Sequence, residues 1–170
     1  LVVQKLSEIG FKIVTSISDG HSSNRKFFSD NLGCSENKSY VENPFGEFPF
    51  TRIFPIFDTI HIMKGLYTNL LNKGEFECPT FRGNTLNPKL EHFRQLHALE
   101  VSMAYRYASK LNHKVLFPKP IERTNVDLAV RFYHESTEAA LKHFSVHNHE
   151  EWEESANFVQ LVRAYFNAIN

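Results

Sequence analysis

Apolar and polar positions in the first part of the chain follow helix-like and strand-like patterns in turn. Residues 1–9 carry apolar side chains at positions 1, 2, 3, 6 and 9, which is typical of an amphipathic helix, and Gly10 is a suitable stop. Residues 11–17 (FKIVTSI) are rich in β-branched and aromatic side chains and predict a buried strand. A helix over 22–32 and a loop over 34–49 follow, since the loop contains Pro, Gly and Asn.

A second strand and helix repeat this order. Residues 53–57 predict a strand, at an edge or a bulge because of Pro55, and residues 60–71 predict the helix after it. A carboxylate follows each strand, Asp19 after the first and Asp58 after the second. This arrangement indicates an α/β fold.

The remaining chain has helical periodicity throughout. Apolar positions recur at spacings of three and four over 90–111, and further helices are predicted over 126–144 and 156–169, with a polar linker over 145–154. The predicted fold class is therefore α/β plus all-α. We divide the chain into a partial α/β domain, 1–75, and a partial helical domain, 76–170.

Charge and composition exclude several classes of protein. The chain has 19 Lys+Arg and 19 Asp+Glu, and this balance argues against a stand-alone electrostatic DNA-binding module. The two cysteines favour free thiols over a disulfide scaffold. No apolar run approaches the roughly 20 residues that cross a bilayer. Sixteen phenylalanines predict an aromatic core.

Asp19 is the strongest candidate for chemistry. A carboxylate at the carboxyl end of a strand lies where open α/β sheets bind ligands, and Mg²⁺ prefers oxygen ligands. The alternative is an Asp-Gly turn that simply ends the strand. For Asp58, three residues before His61, capping of the following helix is the alternative to a place beside a metal or phosphate site.

The histidines raise a zinc hypothesis. His143, His147 and His149 are crowded together, but no cysteine accompanies them, and a run of glutamates follows, so a solvated linker is the favoured interpretation. The sequence contains no phosphate-binding P-loop, no dinucleotide fingerprint and no nucleophile elbow.

Four phrases occur in an order that points to one family. They are VVQKLSEIGFKIVTSISDGHSSNRKFF, FPIFDTIHIMKGLYTNLLNKG, FPKPIERTNVDLAVRFYHESTEAALKHF and the terminal YFNAIN. Together they resemble the P-element type of DNA transposase, the group that includes THAP-domain transposase relatives. Each phrase is weak alone, and their ordered combination covers nearly the whole chain.

The resemblance implies a fold and an activity. The family has an RNase H-like catalytic domain, in which two aspartates and a glutamate bind Mg²⁺ for DNA cleavage and strand transfer, interrupted by a helical insertion that binds GTP. Asp19 matches the second aspartate. The other two carboxylates are expected outside this chain, so we expect an internal fragment that is inactive alone. The parent would bind transposon-end DNA in the nucleus as a homo-oligomer.

The resemblance also implies nucleotide-contacting positions in the helical part. They are Lys110, Val126, His134, Asn167 and Asn170. Lys110 would meet phosphate and Asn170 a guanine edge. The family typically has Asp where Asn167 stands, and an amide cannot accept the two N–H bonds by which a carboxylate selects guanine.

Two other functions stay open. One is a domesticated, non-catalytic descendant that retains the scaffold for DNA or protein binding. The other is a nucleotide-binding or interaction module with no role on DNA. Flanking catalytic carboxylates would favour the transposase over the descendant.

Overall fold

The computed structural model describes residues 2–35, 38–80, 83–147 and 149–169. It contains two compact units, 1–62 and 63–170, and the border between them falls inside a helix. The domain border predicted between residues 75 and 76 stays a prediction. The two compact units are defined by packing alone, which does not test where one domain of the family ends and the next begins. No helix in the described ranges is both long and apolar enough to cross a membrane.

The first unit is built on three strands. Strand β1 (Thr15–Ser18) pairs in parallel with β3 (Arg52–Phe57), and β2 (Val41–Glu42) pairs antiparallel on the other side of β3. The helices are α1 (Val2–Glu8) and α2 (Ser22–Lys26), with one π-helical turn over Phe27–Asn31. The α/β prediction for this part is confirmed, but the edge position predicted for the second strand is wrong, because β3 lies between β1 and β2 and is paired on both sides.

The expected burial of the first strand is wrong. Strand β1 is largely exposed, and the Ile17 side chain retains 65% of its accessible surface. The reason is that side chains project from the faces of a sheet, and helices α1 and α2 carry no buried side chain that would cover a face of β1. Among the described residues of this unit, Phe28 is the one buried apolar side chain, and it packs edge-on against Phe57 at 5.7 Å between ring centroids.

The second unit has a dense aromatic and aliphatic core. Its helices are α3 (Thr59–Lys73, which begins in the first unit), α4 (Leu90–Val101), α5 (His113–Leu116), α6 (Val126–Phe132), α7 (Glu135–His147) and α8 (Glu153–Ile169). Phe132 is fully buried and contacts Phe93 at 4.4 Å and Tyr67 at 5.3 Å between ring centroids. The expected aromatic core is therefore found in this unit.

The helix predicted over 90–111 ends ten residues early, at Val101. The buried carboxylate of Glu100 accepts the backbone N–H groups of Tyr107 and Ala108 at 3.0–3.2 Å, so the chain turns back around this side chain. These bonds satisfy backbone donors that a continued helix would satisfy internally.

The helix predicted over 126–144 is two helices. His134 interrupts it, because its Nδ1 accepts the backbone N–H of Ser136 at 3.1 Å and its carbonyl accepts those of Thr137 and Glu138. After the break, Ala140 is buried in the core and Ala139 is exposed.

Two further expectations for the second half are wrong in detail. The polar linker predicted over 145–154 is mostly helical: α7 runs to His147, a 3-10 turn covers Glu150–Trp152, and Trp152 is fully buried. The half is not all-helical either, since strands β4 (Cys78–Pro79) and β5 (Thr85–Leu86) form a small antiparallel pair.

Candidate functional site

Asp19 and Asp58 follow neighbouring parallel strands at the same end. Ser18 is paired with Phe57, and the Asp58 N–H donates to the Ser18 carbonyl at 2.7 Å. Both aspartates therefore lie at the carboxyl edge of the β1–β3 pair, as the sequence predicts. This edge is where open α/β sheets bind ligands.

The Asp19 carboxylate is exposed and oriented by two donors. Its Oδ1 accepts the His21 N–H at 3.1 Å and the Asn24 side-chain amide at 2.6 Å. The bond from His21, followed by that from Asn24, lowers the pKa of Asp19, since both favour its charged form. The turn after the strand is therefore present, and it holds a carboxylate that stays ionised.

Asn24 is a residue of this site that was not among the predicted site residues. It lies five positions after Asp19 in the short helix α2, and its amide reaches back to the carboxylate. An amide at this spacing is common in proteins, and only the folded turn reveals its partner.

Asp58 is fully engaged in local bonds. Its Oδ1 accepts the N–H groups of Ile60 at 2.8 Å and His61 at 3.4 Å, and its Oδ2 lies 2.8 Å from Nδ1 of His61. The His61 bond is the main cause of the lowered pKa of Asp58. The structure thus supports capping of the α3 N-terminus over metal binding for Asp58.

The Asp19 carboxylate is the group at this edge that could bind a divalent cation. Neither hydrogen bond to Asp19 uses Oδ2, and a carboxylate oxygen suits Mg²⁺. In the part of the chain that the structure describes, no three His, Cys, Asp or Glu side chains are grouped to hold a metal together. Asp19 fits as a contributor to a metal site and cannot form one by itself.

A second candidate site is a cavity of about 260 Å³ within the helical unit. Its apolar wall includes Met63, Val130 and Phe166, and its polar groups include His134, Arg163 and Asn167. The structure therefore brings together His134 and Asn167, two of the residues expected to contact a nucleotide. A cavity of this size is at the small end of ligand sites and suits one heterocyclic ring system better than a whole nucleotide.

The hydrogen bonds around the cavity define what it offers. Because Nδ1 of His134 accepts the Ser136 N–H, the neutral ring carries its proton on Nε2, as assigned from this network. Arg163 is held by Glu138 at 2.6 Å and Glu135 at 3.3 Å, so its charge is already paired. The Asn167 amide supplies both a donor and an acceptor.

The other expected nucleotide contacts lie apart from this cavity. Lys110 is exposed in the segment after α4, and Val126 begins α6; neither lines the cavity in the described residues. Asn170 lies outside the described residues. A larger cavity in the helical unit, about 660 Å³, has glutamates around it, including Glu75, Glu77 and Glu151, and such a wall repels phosphate.

The chain has no match among protein-family models or among curated proteins. Its structure is similar to the Drosophila P element transposase strand transfer complex, with a TM-score of 0.79 and 22% sequence identity. The similarity covers 99% of this chain and 37% of that chain, so the chain spans well under half the length of the protein it matches. The resemblance to the P-element type of transposase is therefore confirmed at the level of the fold.

Proposed function

We propose that this chain is the middle part of a P-element-like DNA transposase, in which residues 1–75 belong to an RNase H-like catalytic domain and residues 76–170 to a nucleotide-binding insertion. The observation that carries the proposal is a fold similarity over 99% of the chain, from a sequence whose motifs point to the same family. The parent protein would cleave and join DNA in the nucleus as a homo-oligomer.

Asp19 is the proposed catalytic carboxylate. Its place after β1, its exposure and the two bonds that keep it ionised all suit a ligand of Mg²⁺. When bound, Mg²⁺ would supply activation of the attacking water or hydroxyl and stabilisation of the leaving oxygen. Asp19 would orient its carboxylate through His21 and Asn24, and further carboxylates would have to come from outside these residues.

The exposure of the first unit supports an incomplete sheet domain. Among the described residues, β1 leaves one strand edge without a strand neighbour, and side chains such as Phe11, Ile17 and Phe54, each more than 40% exposed, form apolar surface of the kind that domains normally cover. A catalytic domain with more strands and helices than this chain holds would cover such a surface. We therefore propose that the isolated chain has no nuclease activity.

The cavity at His134 and Asn167 is the proposed base site of the nucleotide, and GTP is the proposed ligand. His134 Nε2 would donate, Asn167 would pair with the base edge, and Phe166 and Val130 would cover its faces. Lys110 would bind a phosphate group through the ammonium at the end of its flexible side chain. Val126 and Asn170 are the other two proposed nucleotide-contacting residues.

The nucleotide proposal is tested by calorimetric titration of GTP and ATP into the 170-residue chain. GTP is expected to bind, and both His134→Ala and Asn167→Ala are expected to weaken it. Gln160→Ala is the matched control, because Gln160 is exposed on the same helix α8 and does not line the cavity. If neither GTP nor ATP binds, the proposal of a nucleotide site is wrong.

The catalytic proposal is tested in the complete parent protein by a strand-transfer assay on transposon-end DNA. Asp19→Asn is expected to abolish Mg²⁺-dependent joining, whereas Asp30→Asn, at an exposed carboxylate in the same unit, is expected to retain it. A parent protein that binds DNA without joining it, with or without Asp19, would favour the non-catalytic descendant.

A further inference from the structure

His143 and His147 form a pair on the surface of α7. They are four residues apart on one helix, so their side chains lie on the same face, and both are exposed. Their ring centroids are 5.2 Å apart. Neither residue belongs to the cavity or to the sheet edge described above.

The His143 ring is also packed from two other directions. Tyr107 stacks on it at 4.8 Å between centroids with an interplanar angle of 24°, and Phe144 meets it edge-on at 5.1 Å. Tyr107 is itself anchored, since its backbone N–H donates to the buried Glu100 carboxylate at 3.0 Å. These contacts limit the orientations of His143 while leaving the ring accessible.

Two histidines at positions i and i+4 on one helix can bind the same metal ion, and the His143 and His147 rings, which meet edge to face, are close enough to do so. Two imidazoles that bind Zn²⁺ through nitrogens at about 2.0–2.1 Å in tetrahedral geometry hold their centroids about 5 Å apart. We propose that His143 and His147 together bind one divalent cation of the late first-row transition metals, namely Zn²⁺. Water molecules complete the coordination of the ion. Imidazole suits Zn²⁺, Cu²⁺ and Ni²⁺, whereas Mg²⁺ prefers oxygen ligands.

His149 does not take part in this site. It stacks on Trp152 at 4.0 Å with an interplanar angle of 10°, and its Nδ1 lies 3.5 Å from a Glu151 oxygen. The three histidines that are crowded in the sequence are therefore divided by the fold into a pair and a separate stacked ring. Consistent with this, the described residues contain no metal-binding group of three His, Cys, Asp or Glu side chains.

Binding would tie together the last turn of α7. Since the folded helix holds the two rings together, the metal would bind the folded chain more tightly than the unfolded chain, and it would raise the unfolding temperature as free Zn²⁺ rises above its dissociation constant. The site is independent of the proposed transposase function, because it uses none of the residues assigned to that function.

The test is calorimetric titration of ZnCl₂ into the 170-residue chain at neutral pH, with MgCl₂ as the comparison. One Zn²⁺ per chain is expected, with no competition from Mg²⁺. His143→Gln and His147→Gln are each expected to weaken binding at least about tenfold, because each removes one of two protein ligands. His149→Gln is the matched control and is expected to bind as the unaltered chain does.

Several outcomes would overturn the proposal. They are absence of saturable Zn²⁺ binding, binding that His143→Gln or His147→Gln leaves unchanged, and one Zn²⁺ per two chains. An equal loss in His149→Gln would also contradict a two-histidine site. Circular dichroism of each variant without metal separates loss of a ligand from loss of the fold.

Discussion

Both carboxylate oxygens of Glu100 accept the backbone N–H of Ala108, at 3.1 and 3.2 Å. Glu100 itself is buried, with 2% of its surface exposed. The same carboxylate accepts the N–H of Tyr107. This one buried acceptor ends α4 and holds the segment that leads to Lys110. Its position suggests the first test of the fold.

Glu100→Ala is expected to lower the free energy of unfolding by about 1–3 kcal/mol, because it leaves buried backbone N–H groups without an acceptor. Glu100→Gln is expected to cost less, since the amide oxygen retains one acceptor. Urea unfolding monitored by circular dichroism measures both. Equal stability of the Ala variant and the unaltered chain would show that the segment does not depend on this side chain.

The same residue predicts a pH dependence. Burial raises the pKa of Glu100 above its ordinary value of 4.5, and the bonds from Ala108 and Tyr107 only partly offset it. Its favourable contribution is therefore present below pH 4.5 and is lost as the pH rises through the folded-state pKa. As the pH rises through this range, the free energy of unfolding of the unaltered chain is expected to fall relative to that of Glu100→Gln. Unfolding curves of both proteins at matched pH values would detect the change.

Asp58 predicts a pH dependence of stability that is opposite in sign to that of Glu100. Asp58→Ala is expected to cost about 0.5–2 kcal/mol through loss of the α3 cap, and Asp58→Asn less, since Asn also caps helices. Because the pKa of Asp58 is lowered, its contribution is present above its ordinary value of 3.8 and is lost as the pH falls through the folded-state pKa. Urea unfolding at neutral and acidic pH should show a steeper acid loss for the unaltered chain than for Asp58→Asn; parallel losses would contradict the role of the carboxylate.

The base site predicts a gain of specificity on one substitution. Asn167→Asp is expected to favour GTP over ATP by about tenfold or more, because a carboxylate accepts the two N–H groups of guanine through charge-assisted bonds. Competition calorimetry measures the ratio of the two affinities. Gln160→Glu introduces the same charge on α8 outside the cavity and is expected to leave the ratio unchanged. An unchanged ratio in Asn167→Asp would place the base elsewhere.

The core predicts a large effect at one phenylalanine. Phe132→Ala is expected to destabilise the helical unit by about 3–5 kcal/mol, since it opens a cavity beside Phe93 and Tyr67. Ile121→Ala serves as the control, because Ile121 is 88% exposed and its loss should change stability by less than about 0.5 kcal/mol. Thermal unfolding monitored by helical circular dichroism distinguishes the two variants.

Local chemistry in the sequence predicted much of the α/β unit. The strand at 53–57, the helix after it and the two aspartates at strand ends are all found, because alternation, β-branching and a capping carboxylate act within a few residues. The second half was harder to predict. Its helical periodicity passes through Glu100 and His134, whose side chains accept backbone N–H groups and end helices that the apolar pattern would continue.

By itself, the sequence determined the alternation of strand and helix in the first unit, the carboxylates at the sheet edge and the resemblance to one transposase family. The tertiary structure decided which side chains meet: Asn24 with Asp19, His134 with Asn167 at one cavity, and His143 with His147 apart from His149. The physical reason is that periodicity and capping depend on neighbours along the chain. Burial, cavities and shared ligands instead depend on how distant segments pack, which a one-dimensional pattern does not specify.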